Sequence, residues 1–256
     1  MPVINGHYIH VERFGAESTH AVVLLHHGLG STHSWKEQIR FLKHNNLPLI
    51  AYDRWGYGQS EHREYLSIPS FQDDIHDLSK LLEIEGIQRA LLVGHSDGGT
   101  IGLSYAAENH AVVSGLVTIA AHIYIEEKMV KGINDIYRQY NGDARFRRGL
   151  KRMHGDKSDE VFYNWYNGWN TEDVMNWDLR ELITQIRCPV LVIQGIEDEH
   201  AIPQHAKDTA ASIPTADLWL AQGEKHMLPQ DAPEKFNQKL ISFIQRINFS
   251  GNSPGG

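Results

Sequence analysis

The sequence predicts an α/β fold: a mostly parallel central sheet with helices on both faces and a helical insertion ahead of the last strands. Three observations carry that expectation. Short apolar runs bounded by turn residues recur along the chain, as strands buried on both faces require. Amphipathic helical patterns fall between them. From about residue 122 to 187 the strand signals stop, and the text turns helical and aromatic, with Phe162, Tyr163, Trp165, Tyr166, Trp169 and Trp177.

Taken in order, Val3–Ile4 and residues 8–14 flank Asn5-Gly6, a two-residue hairpin signal. Apolar runs follow at 21–26, 47–53, 90–94 and 115–120, and, past the interruption, at 190–194 and 217–220. Ser70 followed by Asp73 resembles a capping box, after which Phe71, Ile75, Leu78 and Leu82 make one apolar helix stripe. Asp231-Ala232-Pro233-Glu234 opens a last helix with proline in its first turn, and Phe236, Leu240, Phe243 and Ile247 supply its buried face. The core is thereby assigned to residues 1–121 and 188–249, a helical cap or lid to 122–187, and a disordered tail to 250–256, where SGNSPGG offers nothing to bury.

Composition narrows the class. A chain of 256 residues with 41% hydrophobic and 22% charged residues suits one globular domain with a small insertion. The net charge of −8, without any basic block, excludes a nucleic-acid groove, because nothing neutralises phosphates. Cys188 is the sole cysteine, so no intrachain disulfide forms. The opening lacks the charged-then-apolar pattern of a signal peptide, and no apolar run approaches the ~18 residues of a membrane span. A cytoplasmic protein without membrane partners is expected, in which the Asn248-Phe249-Ser250 sequon goes unused.

The chemistry concentrates in Gly94-His95-Ser96-Asp97-Gly98, a G-x-S-x-G pattern with an apolar strand before it and a helix-compatible run, 100–108, after it. Such a serine sits on a sharp strand-to-helix turn that exposes its hydroxyl. Side chains at 94 and 98 would collide with neighbouring strands or with the turn. The helix that follows aims free N–H groups and the positive end of its dipole at a developing oxyanion.

In this frame the chain resembles the α/β-hydrolase fold family from about Val3 to Ile247. The resemblance implies an order of nucleophile, acid and histidine, which maps onto Ser96, Asp198 and His226. Gly195-Ile196-Glu197-Asp198 follows the 190–194 strand, and Gly223-Glu224-Lys225-His226 follows the last one. Glu197 and Glu199 are rival acids of lower rank. His226 would take the Ser96 proton, and Asp198 would hold the imidazole tautomer. The loop His26-His27-Gly28-Leu29-Gly30-Ser31 implies an oxyanion hole: ungapped spacing to Ser31 and Trp35 puts its backbone donor at Gly28, and a shift of one residue would put it at Leu29. The N–H of Asp97 is the second donor. Asp53-Arg54-Trp55-Gly56-Tyr57-Gly58-Gln59-Ser60 matches the family's D-x-x-G-x-G-x-S turn and is given no catalytic role.

Serine at the elbow excludes the dehalogenase and epoxide hydrolase branches, which carry aspartate there. The expected activity is hydrolysis of small to medium carboxylic esters through an acyl-enzyme on Ser96, with Leu29, Phe162, Trp165 and Trp169 against the substrate. Alternatives are hydrolysis of a C–C bond beside a ketone in a dienoate, and a binding protein that keeps the triad. Asp97 either caps its helix or looks into the pocket, where its charge would favour amines. His26-His27 lie close to His95 in such a sheet, and His200 and His205 could share a helix edge, but no HExxH or CxxC frame exists and scattered histidines are more often solvated or core residues, so no cofactor and no metal are expected. Gly28-Leu29-Gly30 with Asp53 imitates a dinucleotide fingerprint, but position 33 is histidine instead of the third glycine.

Overall fold

The computed structural model describes residues 2–249, so the assignment made to 250–256 lies outside the described residues. The chain enters through a hairpin of β1 (Val3–Ile4) and β2 (His7–Tyr8), whose turn puts Asn5 at φ 50° and Gly6 at φ 97°. Positive φ at both central residues is what a twisted two-residue hairpin needs. The run at 8–14 is not one strand. It breaks after Tyr8, and β3 (Val11–Phe14) joins a different sheet.

Next come β4 (His20–Leu25), α1 (Lys36–His44), β5 (Leu49–Tyr52), α2 (Gln72–Ile84), β6 (Arg89–His95), α3 (Asp97–Glu108) and β7 (Val113–Ile119). The insertion then supplies α4 (Glu127–Gly142), α5 (Ala144–His154), α6 (Ser158–Gly168) and the short α7 (Arg180–Ile183). The chain closes with β8 (Val190–Gly195), α8 (Gln204–Ser212), β9 (Ala216–Ala221), α9 (Leu228–Asp231) and α10 (Pro233–Arg246).

Among the described residues, seven strands form the main sheet in the order β3-β5-β4-β6-β7-β8-β9, parallel except for β3. Alternate residues of its central strands serve opposite faces. Val23, Leu25 and Leu92 pack with α2 and α3 and with the insertion, whereas Val22, Leu24, Leu91 and Val93 pack with α1 and α10. Each such side chain contributes about 1.5–3 kcal/mol by burial, which explains the unbroken apolar strands. β9 differs: it is the sheet's edge, with Asp217 and Leu218 exposed, so its run is not a doubly buried strand.

Two helix starts depart from expectation in their details. α2 begins after Phe71 in the left-handed region (φ 51°); Ser70 Oγ accepts only a long bond from Gln72 N–H (3.4 Å), and Asp73 N–H goes to Ser67 Oγ (3.3 Å), so no capping box forms. Phe71, Ile75, Leu78 and Leu82 are nonetheless all buried. α10 has Pro233 in its first turn as expected, but its inner face ends on Ile244, and Ile247 is only half-buried beyond the helix.

The strand order reverses between β4 and β6: the chain steps outward from β4 to β5, then returns to β6 on β4's other side. Loops leaving the carboxyl ends of β4 and β6 therefore diverge and open a crevice. The helical insertion, which leaves the neighbouring end of β7, covers it.

Candidate active site

Ser96 stands at that crevice. Its backbone is strained (φ 54°, ψ −119°), and the strain is held by Ser96 N–H donating to Ile119 O (2.7 Å) and by Ser96 O accepting from Gly99 N–H (2.8 Å) and Thr100 N–H (3.0 Å). Glycine is required on both sides. A Cβ at Gly94 would overlap the Gly98 carbonyl, and one at Gly98 would overlap the Leu25 carbonyl on β4. The side chain of Ser96 opens onto a cavity of about 460 Å³ that His226 also lines.

His226 Nδ1 lies 2.8 Å from Asp198 Oδ2. Asp198 is fully buried, and each of its oxygens is occupied. Oδ2 also accepts from Gln194 Nε2 (2.6 Å), and Oδ1 accepts from the N–H groups of His200 (2.7 Å) and Ala201 (3.1 Å). Burial opposes ionisation of Asp198, but the His226 ring and these donors outweigh it and hold the carboxyl below the usual carboxylate range. Burial likewise opposes charging His226. The Asp198 carboxylate, with Glu199 and Asp97 behind it, prevails and raises the ring above its ordinary 6.5. Asp198 therefore stays ionised and accepts a hydrogen bond from Nδ1–H, which leaves the Nε2 lone pair of neutral His226 as an acceptor. Glu199 does not compete for the ring; its Oε2 accepts the His226 backbone N–H at 3.2 Å. His95 donates from Nε2 to the His226 carbonyl (2.9 Å), so the loop after β9 is tied to the elbow itself.

The loop after β4 is held from beneath. The His27 carbonyl accepts from His26 Nδ1 (2.8 Å), Gly30 N–H (3.0 Å) and Arg54 Nη2 (3.5 Å). In a trans peptide the following N–H points the opposite way, so the Gly28 N–H faces away from all three donors. Leu29 N–H instead turns toward His27 Nδ1, at 3.4 Å. His154 of α5 braces the same loop: its Nδ1 accepts from Gly58 N–H (2.9 Å) and its Nε2 donates to Leu29 O (3.1 Å). The D-x-x-G-x-G-x-S turn supplies further support, with Asp53 accepting from Thr32 N–H (2.6 Å) and Gln59 N–H (2.8 Å).

Asp97 is buried and lines the cavity, and its Oδ2 has no hydrogen-bond partner among the described residues. Arg54 Nη2 stands 3.9 Å from that oxygen, but the guanidinium is shared with Asp74 at 3.1 Å. Burial pushes the Asp97 carboxyl up, to about 6, against the pull of Arg54 and with help from Asp74.

Leu29, Trp165 and Trp169 line the cavity, together with Met129, Ile133, Ile136 and other apolar residues of the insertion. Phe162 does not. It is fully buried between α4 and α6, stacked on Tyr140 with ring centroids 3.6 Å apart, and belongs to the insertion's own core. Several site neighbours carry no signal in the sequence: Gln194 looks like one polar residue ending a strand, and His122, whose ring stacks on His226 at 6.0 Å, follows β7 without a motif. His200 and His205 do not share a helix edge, because α8 begins at Gln204. No cluster of three or more metal-ligating side chains occurs among the described residues.

A profile of the alpha/beta hydrolase family matches residues 22–239. The chain belongs to that family. Serine hydrolase BPHL of Mus musculus is 27% identical over 251 residues, covering 94% of this chain and 84% of the relative. The putative carbamate hydrolase RutD of Caulobacter sp. (strain K31) is 28% identical over 266 residues, covering 94% and 96%. Among solved structures, one described with carboxylesterases of Nitrososphaera gargenis superposes with a TM-score of 0.79 at 21% identity, covering 95% of this chain and 96% of that one. These relatives put the chain in the serine-hydrolase and esterase branch of the alpha/beta hydrolases, with hydrolase chemistry of that general type.

Proposed function

We propose that the protein hydrolyses small to medium carboxylic esters through an acyl-enzyme on Ser96, with residues 122–187 acting as the lid. The observation that carries this reading is the junction of a strained serine elbow with an Asp198-bound His226 in one cavity lined largely by apolar side chains.

The chemistry follows from the groups present. His226 Nε2 removes the Ser96 proton as Oγ attacks the ester carbonyl, and the carbonyl π electrons move onto oxygen. The N–H groups of Gly28 and Asp97 receive that oxyanion: the first points away from its occupied peptide carbonyl, the second is a free N–H at the start of α3. Ionised Asp198 stabilises the imidazolium, which then gives its proton to the departing alkoxide. Water enters and gives a proton to His226 as its oxygen adds to the acyl carbonyl; the adduct then collapses, the Ser96 Oγ–acyl bond breaks, and His226 returns the proton to Oγ as the acid is released.

The cavity of about 460 Å³ falls in the range of small-molecule sites, and the lid supplies its apolar wall. An acyl chain fits against Met129, Ile133 and Ile136, with the alcohol part toward His33, Ser34 and Gln230, which also line the cavity. The Asp97 carboxylate, whose Oδ2 has no hydrogen-bond partner among the described residues, disfavours anionic dienoates and hence C–C bond hydrolysis. A panel of p-nitrophenyl esters of increasing chain length, run beside a dienoate ketone, tests this. Turnover of the esters, rising into medium chains, with none of the ketone is expected. Faster cleavage of the ketone overturns the ester reading.

A further inference from the structure

Trp165 lies on α6 of the insertion, yet its indole N–H is placed at the chemistry of the core. The residue is 7% exposed and lines the cavity, and Nε1 has no hydrogen-bond partner among the described residues. An indole nitrogen can only donate, and a buried one usually finds an acceptor; Trp35 and Trp177 also leave Nε1 unpartnered among the described residues, but neither lines the cavity. This one lies hard against Gly28: a Cβ built there would overlap Nε1 and would meet Asp97 Oδ2 at 2.7 Å. The same close approach explains why position 28 carries no side chain. The orphaned N–H therefore stands beside Gly28, whose backbone N–H is proposed above to receive the oxyanion, and the nearby Asp97 Oδ2 is itself without a hydrogen-bond partner among the described residues.

We propose that Trp165 is a catalytic residue of the lid: its Nε1–H donates to the substrate's carbonyl oxygen and to the oxyanion formed from it, beside the N–H groups of Gly28 and Asp97. This rests on the Ser96 ester-hydrolase reading. The acceptor must be small, neutral before attack and negative after it, which describes an ester carbonyl oxygen. Two oxyanion donors belong to the core and the third comes from the insertion, so the full set exists only when the lid is seated. Donors that meet the oxygen mainly after attack act on kcat more than on KM.

The experiment compares wild type with Trp165→Phe, which keeps an aromatic ring and removes the N–H, and with Trp165→His, which restores a donor. Steady-state hydrolysis of one neutral p-nitrophenyl ester is measured, with inhibition by a trifluoromethyl ketone, whose serine adduct carries an oxyanion. Trp165→Phe is expected to lose on the order of 10²-fold in kcat with KM changed little, and to bind the ketone more weakly by a similar factor; Trp165→His recovers part of both. Thermal melting of each variant and stoichiometric labelling of Ser96 by a fluorophosphonate separate loss of the donor from loss of the fold. Unchanged kcat in a folded, labelled Trp165→Phe overturns the proposal, as does a rise in KM alone, the mark of mere packing. A loss confined to cationic esters also overturns it, by assigning the N–H to Asp97 instead. Failure of the underlying reading looks different, since wild type itself would then show no ester turnover and no label.

Discussion

Replacing Asp97 by asparagine removes one buried charge and keeps the backbone N–H, so it isolates what that charge does to substrate choice. The charge is not cancelled locally. Arg63 pairs with Asp73 (2.7 Å) and Asp74 (3.1 Å), and Arg54 with Asp74 (3.1 Å), leaving Asp97 the unmatched third carboxylate, 3.9 Å from Arg54. An ammonium ~4 Å from Asp97 gains about 4 kcal/mol at an effective dielectric near 20. Arg54, already close, opposes the incoming cation, and the ammonium sheds water. Offsetting roughly half of the attraction leaves about 1.4–2.7 kcal/mol, or a 10- to 100-fold preference for cationic over isosteric neutral esters.

Because burial raises the Asp97 carboxyl to about 6, that preference should grow as pH rises through 6 and fade below it, where the group is neutral. The assay is kcat/KM for a matched set of cationic, neutral and anionic esters at pH 5.5 and 7.5, for wild type and Asp97→Asn. The variant should lose the cation preference and its pH dependence while hydrolysing the neutral ester at a similar rate. If the three substrates keep the same relative kcat/KM in wild type and variant, the carboxylate takes no part in recognition, and C–C hydrolysis regains ground.

His226→Ala and Asp198→Asn should both be severely impaired, the histidine variant more so; with His226 raised above 6.5, wild-type kcat/KM should climb through a pKa above that value, and a flat profile between pH 5 and 8 refutes its role as base. Acid stability gives an independent check. Burial lowers His95, His122, His154, His200 and His205, the last three to about 4, so the unfolded chain binds more protons below pH 6.5. Stability present above 6.5 should then be lost as pH falls from 6.5 toward 4, by up to about 1.4 kcal/mol per pH unit for each ring; melting temperatures that stay level from pH 7 to 5 contradict this. Among the lid aromatics, Trp169→Ala should shift chain-length preference, whereas Phe162→Ala should cost about 3–5 kcal/mol of stability and leave selectivity unchanged. Equal shifts in selectivity would place Phe162 against the substrate after all.

What the sequence discloses and what it hides follow one physical division. Strands buried on both faces must be apolar throughout, so 21–26, 90–94 and 115–120 announce themselves, whereas edge strand β9 mixes exposed and half-buried residues and reads ambiguously. The elbow is legible because backbone geometry dictates glycine at 94 and 98 within five residues. Contacts made across the fold leave no such trace. His122, His200 and His95 gather around His226 from the loops after β7 and β8 and from the end of β6, in a chain with 16 histidines; even the local Gln194–Asp198 bond, four residues apart, has no motif to mark it. Phe162 and Trp165, three apart on one helix, look alike on paper, and only the packing of α4 separates the ring in the lid's core from the ring in the cavity. Ser70 and Asp73 form a cap motif that loses to Phe71, whose left-handed backbone turns the chain into α2 without it.

The central claim, that Ser96 is the nucleophile, is tested most directly by intact-mass and peptide mapping after reaction with a fluorophosphonate. Wild type should gain one adduct, located at Ser96, with ester turnover falling in step with labelling. Ser96→Ala, folded by its melting curve, should gain none and lose turnover by roughly 10³-fold or more. An adduct on another residue, or a Ser96→Ala protein that still hydrolyses esters at the wild-type rate, contradicts the account.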